Sequence, residues 1–146
     1  MVVLWFDPDL WQADLLRSAA RWTLVLCSRQ AGKSTTAAVL ALHTALYRPG
    51  ALVLLVAPSL RQAGELFRKF AEMRGRLDPA PELSEDNAAS CTFAATGSRV
   101  LSLPGSEATV RGFSAPTLVV EDEAPGCRAA CTGPSGRCWR RRRRAG

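Results

Sequence analysis

Long apolar runs are missing from these 146 residues: no stretch reaches the roughly 18 consecutive apolar residues that a membrane-spanning helix needs. Also missing is a basic leader running into an apolar segment with a small-residue cleavage site, so neither a membrane span nor a secretory signal is expected, and the cytoplasm is the expected location. Histidine occurs once, and only two of the five Cys precede residue 125, so no His/Cys cluster in that part has metal-ligand spacing. Cys27 and Cys91, far apart and each beside an apolar run, fit reduced thiols better than a disulfide framework. Internal repeats are lacking as well. The length suffices for one α/β domain with a real core and is too short for two.

Acidic residues are absent from residues 125–146, where seven Arg lie. Removing those seven charges takes the formal net charge from +6 to −1 for residues 1–124, so the basicity belongs to the end of the chain and not to its body. Residues 1–124 are therefore expected to form one domain, with 125–146 an Arg/Cys-rich tail.

What is present is an alternation of helical and strand patterns. Leu10, Trp11, Leu15 and Ala19 recur at helical spacing between residues 8 and 21, with Asp7 as the expected cap and Pro8 at the first position. Residues 23–27 then read as a continuous apolar strand buried on both faces. A helix is expected over 35–47, stopped by Pro49 and Gly50. A second buried strand is expected over 52–57, and a helix capped by Ser59 carries Leu60, Ala63, Phe67, Phe70 and Ala71 to a stop near Gly75. Residues 78–90 read as a polar surface loop, 91–95 and 99–103 as a hairpin, and 117–121 as a last buried strand. Strands separated by helices imply crossover connections and a mostly parallel sheet covered on both faces.

The sharpest local signal is Cys27-Ser28-Arg29-Gln30-Ala31-Gly32-Lys33-Ser34-Thr35, set between a predicted strand and a predicted helix. It matches the phosphate-loop pattern GxxxxGK[ST] except that Cys27 stands for the first Gly. Gly32 lets backbone amides approach phosphate oxygens, Lys33 brings a point charge to the β and γ phosphates, and Ser34 offers a hydroxyl to Mg²⁺. A chance Gly-Lys-Ser at a helix start is the plain alternative. Its complement is Leu118-Val119-Val120-Glu121-Asp122-Glu123, with Asp122 located 89 positions after Lys33. In such a pair Asp122 holds Mg²⁺ and Glu123 polarises the water that attacks the γ-phosphate. Glu121 leaves a one-residue ambiguity, settled toward Asp122 and Glu123 because Asp-Glu-Ala is the better match.

Five segments in this order carry a family likeness: Pro8-Asp9-Leu10-Trp11-Gln12, the phosphate loop with Arg29, Val56-Ala57-Pro58-Ser59 with Gln62-Ala63, Leu103-Pro104-Gly105 followed by Thr109-Val110-Arg111-Gly112, and Val120-Glu121-Asp122-Glu123-Ala124. Together they resemble the N-terminal ATPase domain of the large terminase subunit of tailed bacteriophages, the motor that packages viral DNA.

The resemblance implies an α/β P-loop NTPase fold of the RecA-like, additional-strand class, incomplete at the C-terminus. ATP and Mg²⁺ are the implied cofactors. Double-stranded DNA, a small terminase subunit and a portal protein are the implied partners, in a ring oligomer away from any membrane. Trp11 and Gln12 look like the segment that packs near adenine and hydrogen-bonds it, with a core Trp and a solvated Gln as the bland reading. Arg29 resembles a γ-phosphate sensor, and Arg111, twelve residues before Glu123, a finger inserted by a neighbouring subunit or simply a surface Arg in a turn. The segment from Ala57 to Gln62 corresponds to one that faces nucleic acid in related helicase-like motors.

The coupling motif, remaining strands and nuclease domain of terminases are not found after Glu123. The tail has three readings: a basic arm on nucleic acid, a metal site from Cys127, Cys131 and Cys138 that lacks a fourth ligand, or out-of-frame translation of GC-rich coding sequence. The third is favoured, because a frame shifted at Pro125 permits an apolar, helix-periodic segment where the tail has none. Three functions follow: an ATPase fragment of a packaging motor, an inactive prophage-remnant fragment that binds nucleotide or nucleic acid without turnover, or another P-loop ATPase such as a helicase core.

Overall fold

A computed structural model of the chain describes residues 3–4, 6–26, 30–105 and 112–123. Cys27, Ser28, Arg29 and Arg111 lie outside the described residues, and so does the whole of 124–146. The γ-phosphate roles expected of Arg29 and Arg111, the loop role of Ser28 and every reading of the tail fall there.

In chain order the elements are β1 (Val3–Leu4), α1 (Leu10–Arg17), α2 (Lys33–Tyr47), β2 (Leu52–Ala57), α3 (Leu60–Gly75), β3 (Leu77–Asp78), β4 (Leu83–Asn87), β5 (Ser90–Phe93), β6 (Arg99–Pro104) and β7 (Leu118–Glu121). The large sheet has the order β4-β5-β6-β2-β7, and β1 pairs separately with β3. Strand β2 is parallel to β6 on one side, with Leu54 opposite Leu101, and parallel to β7 on the other, with Leu54 opposite Val119. The β4-β5 and β5-β6 pairs are antiparallel, so the sheet is mixed, with a parallel centre of three strands.

β2 divides the interior because strand side chains alternate between faces. Val53 and Leu55 join Ala38, Ala41, Leu42 and Ala45 of α2 and Leu66, Phe67, Phe70 and Met73 of α3 in the main core. Phe70 meets Phe93 edge-to-face, with centroids 6.5 Å apart and an interplanar angle of 82°. Leu54 and Val56 face the other way, toward Leu52, Leu101, Leu103 and Phe113. Burying each large side chain contributes about 1.5–3 kcal/mol, which makes the α2/α3 face the principal source of stability. Cys91 is a free thiol within that core, and burial pushes its pKa up while the neighbouring Arg74 opposes the shift.

Among the described residues no fully buried side-chain nitrogen or oxygen lacks a hydrogen-bond partner. Ser98 is fully buried; its hydroxyl donates to the Arg48 carbonyl at 2.8 Å and accepts from the Ala51 amide at 3.2 Å, tying the end of α2 to the start of β6. The Ser102 hydroxyl donates to the Ala63 carbonyl at 2.7 Å, fixing α3 across β6. No helix among the described residues is long and apolar enough to cross a membrane.

Several expectations need correction. Residues 23–26 form no strand, and Leu24 and Leu26 are 77% and 76% exposed. Apolar composition marks a segment that gains from burial, but a strand also needs a partner for its amides, and among the described residues β7, the end strand of the sheet, pairs only with β2. The first helix begins at Leu10 after Asp9, not at Pro8 after Asp7, because Asp9 and Gln12 close the first turn. Residues 83–87 are strand and not loop: β4 is a polar edge strand exposed on nearly every residue, so it has no apolar alternation to read. Helices α2 and α3 share one sheet face, whereas both faces were expected to be covered. Strand β7 is only partly buried, with Val119 41% exposed, and Leu60 of α3 faces solvent.

Candidate functional site

The parallel strands β2 and β7 end side by side, and their C-terminal ends set the site. The Asp122 amide donates to the Val56 carbonyl at 2.9 Å, carrying the β7 ladder one residue past the strand. Glu123 then turns the chain with φ of 54°, in the left-handed region that costs a residue with a Cβ about 1–2 kcal/mol. Its amide donates to Asp122 Oδ1 at 3.0 Å. Alternation along β7 sends Leu118 and Val120 toward the helices and Glu121 to the opposite face. Burial raises the Glu121 pKa, since desolvation penalises its charged form.

Helix α2 approaches these acids with its N-terminus. Gly32 is its N-cap with φ of 80°, a conformation glycine adopts without steric penalty. The Gly32 carbonyl accepts from the Thr36 amide at 3.0 Å and from Thr36 Oγ1 at 2.9 Å, locking the first turn. At the second position of the helix, Ser34 Oγ donates to Asp122 Oδ2 at 2.8 Å. Lys33 and Thr35 flank it, both half-buried; Gln30 is exposed with φ of 63°, and Ala31 is half-buried.

Glu123 is held from the other side. Gln62 Nε2 donates to Glu123 Oε2 at 2.6 Å, and Ser59 Oγ donates to Gln62 Oε1 at 2.8 Å. Ser59 also accepts from the Gln62 amide at 3.3 Å, capping α3 as the sequence suggested. A cavity of about 300 Å³ lies between α3 and this cluster, lined among others by Ser34, Pro58, Gln62, Lys69, Asp122 and Glu123. The spacing of Gln62, Glu65, Lys69 and Glu72 places one polar stripe of α3 along it, with Pro58 at its end.

Ser34, Asp122 and Glu123 are thus brought to one place, with Lys33 adjacent in sequence to Ser34. Gln12 reaches this region too: it is 6% exposed, and its amide lies against Gly32. Trp11 does not line that cavity; it borders a second, open concavity of about 380 Å³ with Leu15, Leu24 and Leu26. The Gln62–Glu123 link and the Lys69 side of the cavity were not read from sequence, although the helical spacing of Gln62 and Lys69 after Pro58 carried the signal.

The arrangement joins a helix N-terminus to hard oxygen donors. Hydroxyl and carboxylate oxygens suit Mg²⁺, and first-turn amides of a helix suit phosphate. Among the described residues no group of three or more His, Cys, Asp or Glu is placed to hold a metal by itself, so a cation here would complete its shell with water or ligand oxygens. Comparison with protein-family models finds no match for this chain, and comparison with curated proteins finds no significant match.

Proposed function

We propose that the chain binds ATP with Mg²⁺ at the junction of α2 and β7, as the nucleotide-binding part of a terminase-like DNA-packaging ATPase. The observation that carries this reading is the 2.8 Å contact of Ser34 with Asp122, which joins the two halves of the sequence pattern. Lys33 and the first amides of α2 would hold phosphate oxygens, and Ser34 with Asp122 would hold Mg²⁺. The cation, when bound, neutralises charge building on the phosphates. Glu123, fixed by Gln62, would orient and deprotonate a water. In the packaging setting the partners are double-stranded DNA, a small terminase subunit, a portal protein and further copies in a ring.

Labelled ATP titrated into the full chain with Mg²⁺ tests the reading. Saturable binding that Lys33→Ala weakens about tenfold or more, with an unchanged circular dichroism spectrum, is the expected result. Equal binding by wild type and Lys33→Ala overturns it.

A second reading, nucleotide binding without turnover, is favoured by the exposure of Leu24 and Leu26 just before the phosphate-loop segment. Residues 23–26 are not part of the sheet, and hydrolysis demands closer positioning than binding does. Retained ATP binding with no phosphate release selects this reading; release abolished by Lys33→Ala selects the first.

A further inference from the structure

Gln12 is a polar side chain in a position that polar side chains rarely take. It is 6% exposed in the first turn of α1, and its carbonyl oxygen accepts from the Asp9 amide at 2.9 Å. That bond closes the turn and restricts the side-chain torsions. The other end of the amide points at Gly32: a Cβ built on Gly32 would lie 2.5 Å from Gln12 Nε2. The glycine is therefore required twice, once by its φ of 80° and once by the glutamine that occupies the space of a side chain. Through the Gly32 carbonyl, which takes both donors of Thr36, the same contact reaches the fully buried Thr36 in the first turn of α2.

A glutamine that reads adenine does so with both ends of its amide, accepting from the exocyclic amine and donating to the ring nitrogen. In Gln12 the accepting end is engaged by Asp9 and the donating end sits on the backbone just before Lys33. We infer that Gln12 is a positioning residue, which sets the backbone at Gly32 for the triphosphate of any nucleotide and does not select the base. The inference rests on the nucleotide-binding reading above and replaces the adenine contact that the family likeness implies for Gln12.

The test uses the full chain and three ligands, MgATP, MgGTP and magnesium tripolyphosphate. Gln12→Ala and Gln12→Glu should each weaken all three by the same factor, about tenfold. Gln12→Glu keeps an acceptor for the Asp9 amide, and glutamate is the usual partner in such a turn, so this variant retains the helix start and isolates the end that meets Gly32. Loss of ATP affinity alone, with GTP and tripolyphosphate unchanged, overturns the inference.

Lys33→Ala serves as the control for the underlying reading: if it leaves all three ligands unaffected, nucleotide binding at this site fails as a whole. A second measurement needs no ligand. Gly32→Ala should lower the unfolding midpoint more in the wild-type background than in the Gln12→Ala background, because the clash is with Gln12 itself. Additive shifts in that cycle overturn the positioning contact even where no ligand binds.

Discussion

The hydroxyl of Ser34 and the carboxylate of Asp122 meet at 2.8 Å although 88 positions separate them. Their meeting depends on β2: α2 packs on its Val53 and Leu55 face, and β7 pairs along its edge, so one strand holds both partners in register. If both groups serve one cation, as proposed, Ser34→Ala and Asp122→Asn should each weaken MgATP binding about tenfold, and the double variant should be no weaker than the worse single one. Titration calorimetry with Mg²⁺ and again with a chelator checks this. Losses that add, or that persist in chelator, show two separate roles.

Glu123 stores backbone strain at the candidate site, with its φ of 54°. Glu123→Ala and Glu123→Gly both delete the hydrogen bond from Gln62, but only the glycine relieves the left-handed conformation. Urea unfolding should find Glu123→Gly more stable than Glu123→Ala by about 0.5–1 kcal/mol. Equal midpoints would mean the turn relaxes without cost.

Glu121 gives the chain a pH dependence of defined sign. Burial raises its folded pKa, so the folded state disfavours the carboxylate. Below the unfolded value of about 4.3 the group is neutral in both states and costs nothing; as pH rises through the folded value, that stability is lost. Glu121→Gln should therefore match wild type near pH 4 and exceed it at neutral pH. A melting-temperature difference that stays constant across this range contradicts the assignment.

Leu24 and Leu26 lie open to solvent, outside the sheet. Leu24→Asp and Leu26→Asp should each change the unfolding free energy by no more than about 0.5 kcal/mol, as surface substitutions do. Leu55→Ala, in the buried face of β2, should cost about 2–5 kcal/mol under the same conditions. A loss at Leu24 comparable to that at Leu55 would place residues 23–26 in the core after all.

The elements legible in the sequence are those whose signals are local. Strand β2 matches its apolar run from Leu52 to Ala57, and α3 begins at the Ser59 cap and ends at Gly75 as the spacing indicates. The hairpin of β5 and β6 around Gly97, with φ of 65°, follows from its turn residues. Partnership between distant segments was not legible. Nothing in Leu24-Val25-Leu26 states whether a strand lies beside it, and nothing in the polar β4 sequence shows that β5 will pair with it. At the site, the acidic pair and the Gly-Lys-Ser segment were readable as motifs. The Gln62–Glu123 bond arises from tertiary placement of α3, which a pattern of residue types does not encode.

Among the described residues strand β7 has a single neighbour in the sheet, β2, whereas β2 is hydrogen-bonded on both sides. Detaching β7 breaks one ladder where detaching β2 breaks two, so its free energy of local opening lies below that of β2. Amide hydrogen exchange should run fastest among the parallel strands at Val119 and Val120 and slowest at Leu54 and Leu55. The acidic residues that follow β7 thus ride on the least protected strand of the parallel group, and a ligand that bridges Ser34 and Asp122 would also act as a clasp, slowing exchange in β7 without touching the strand itself.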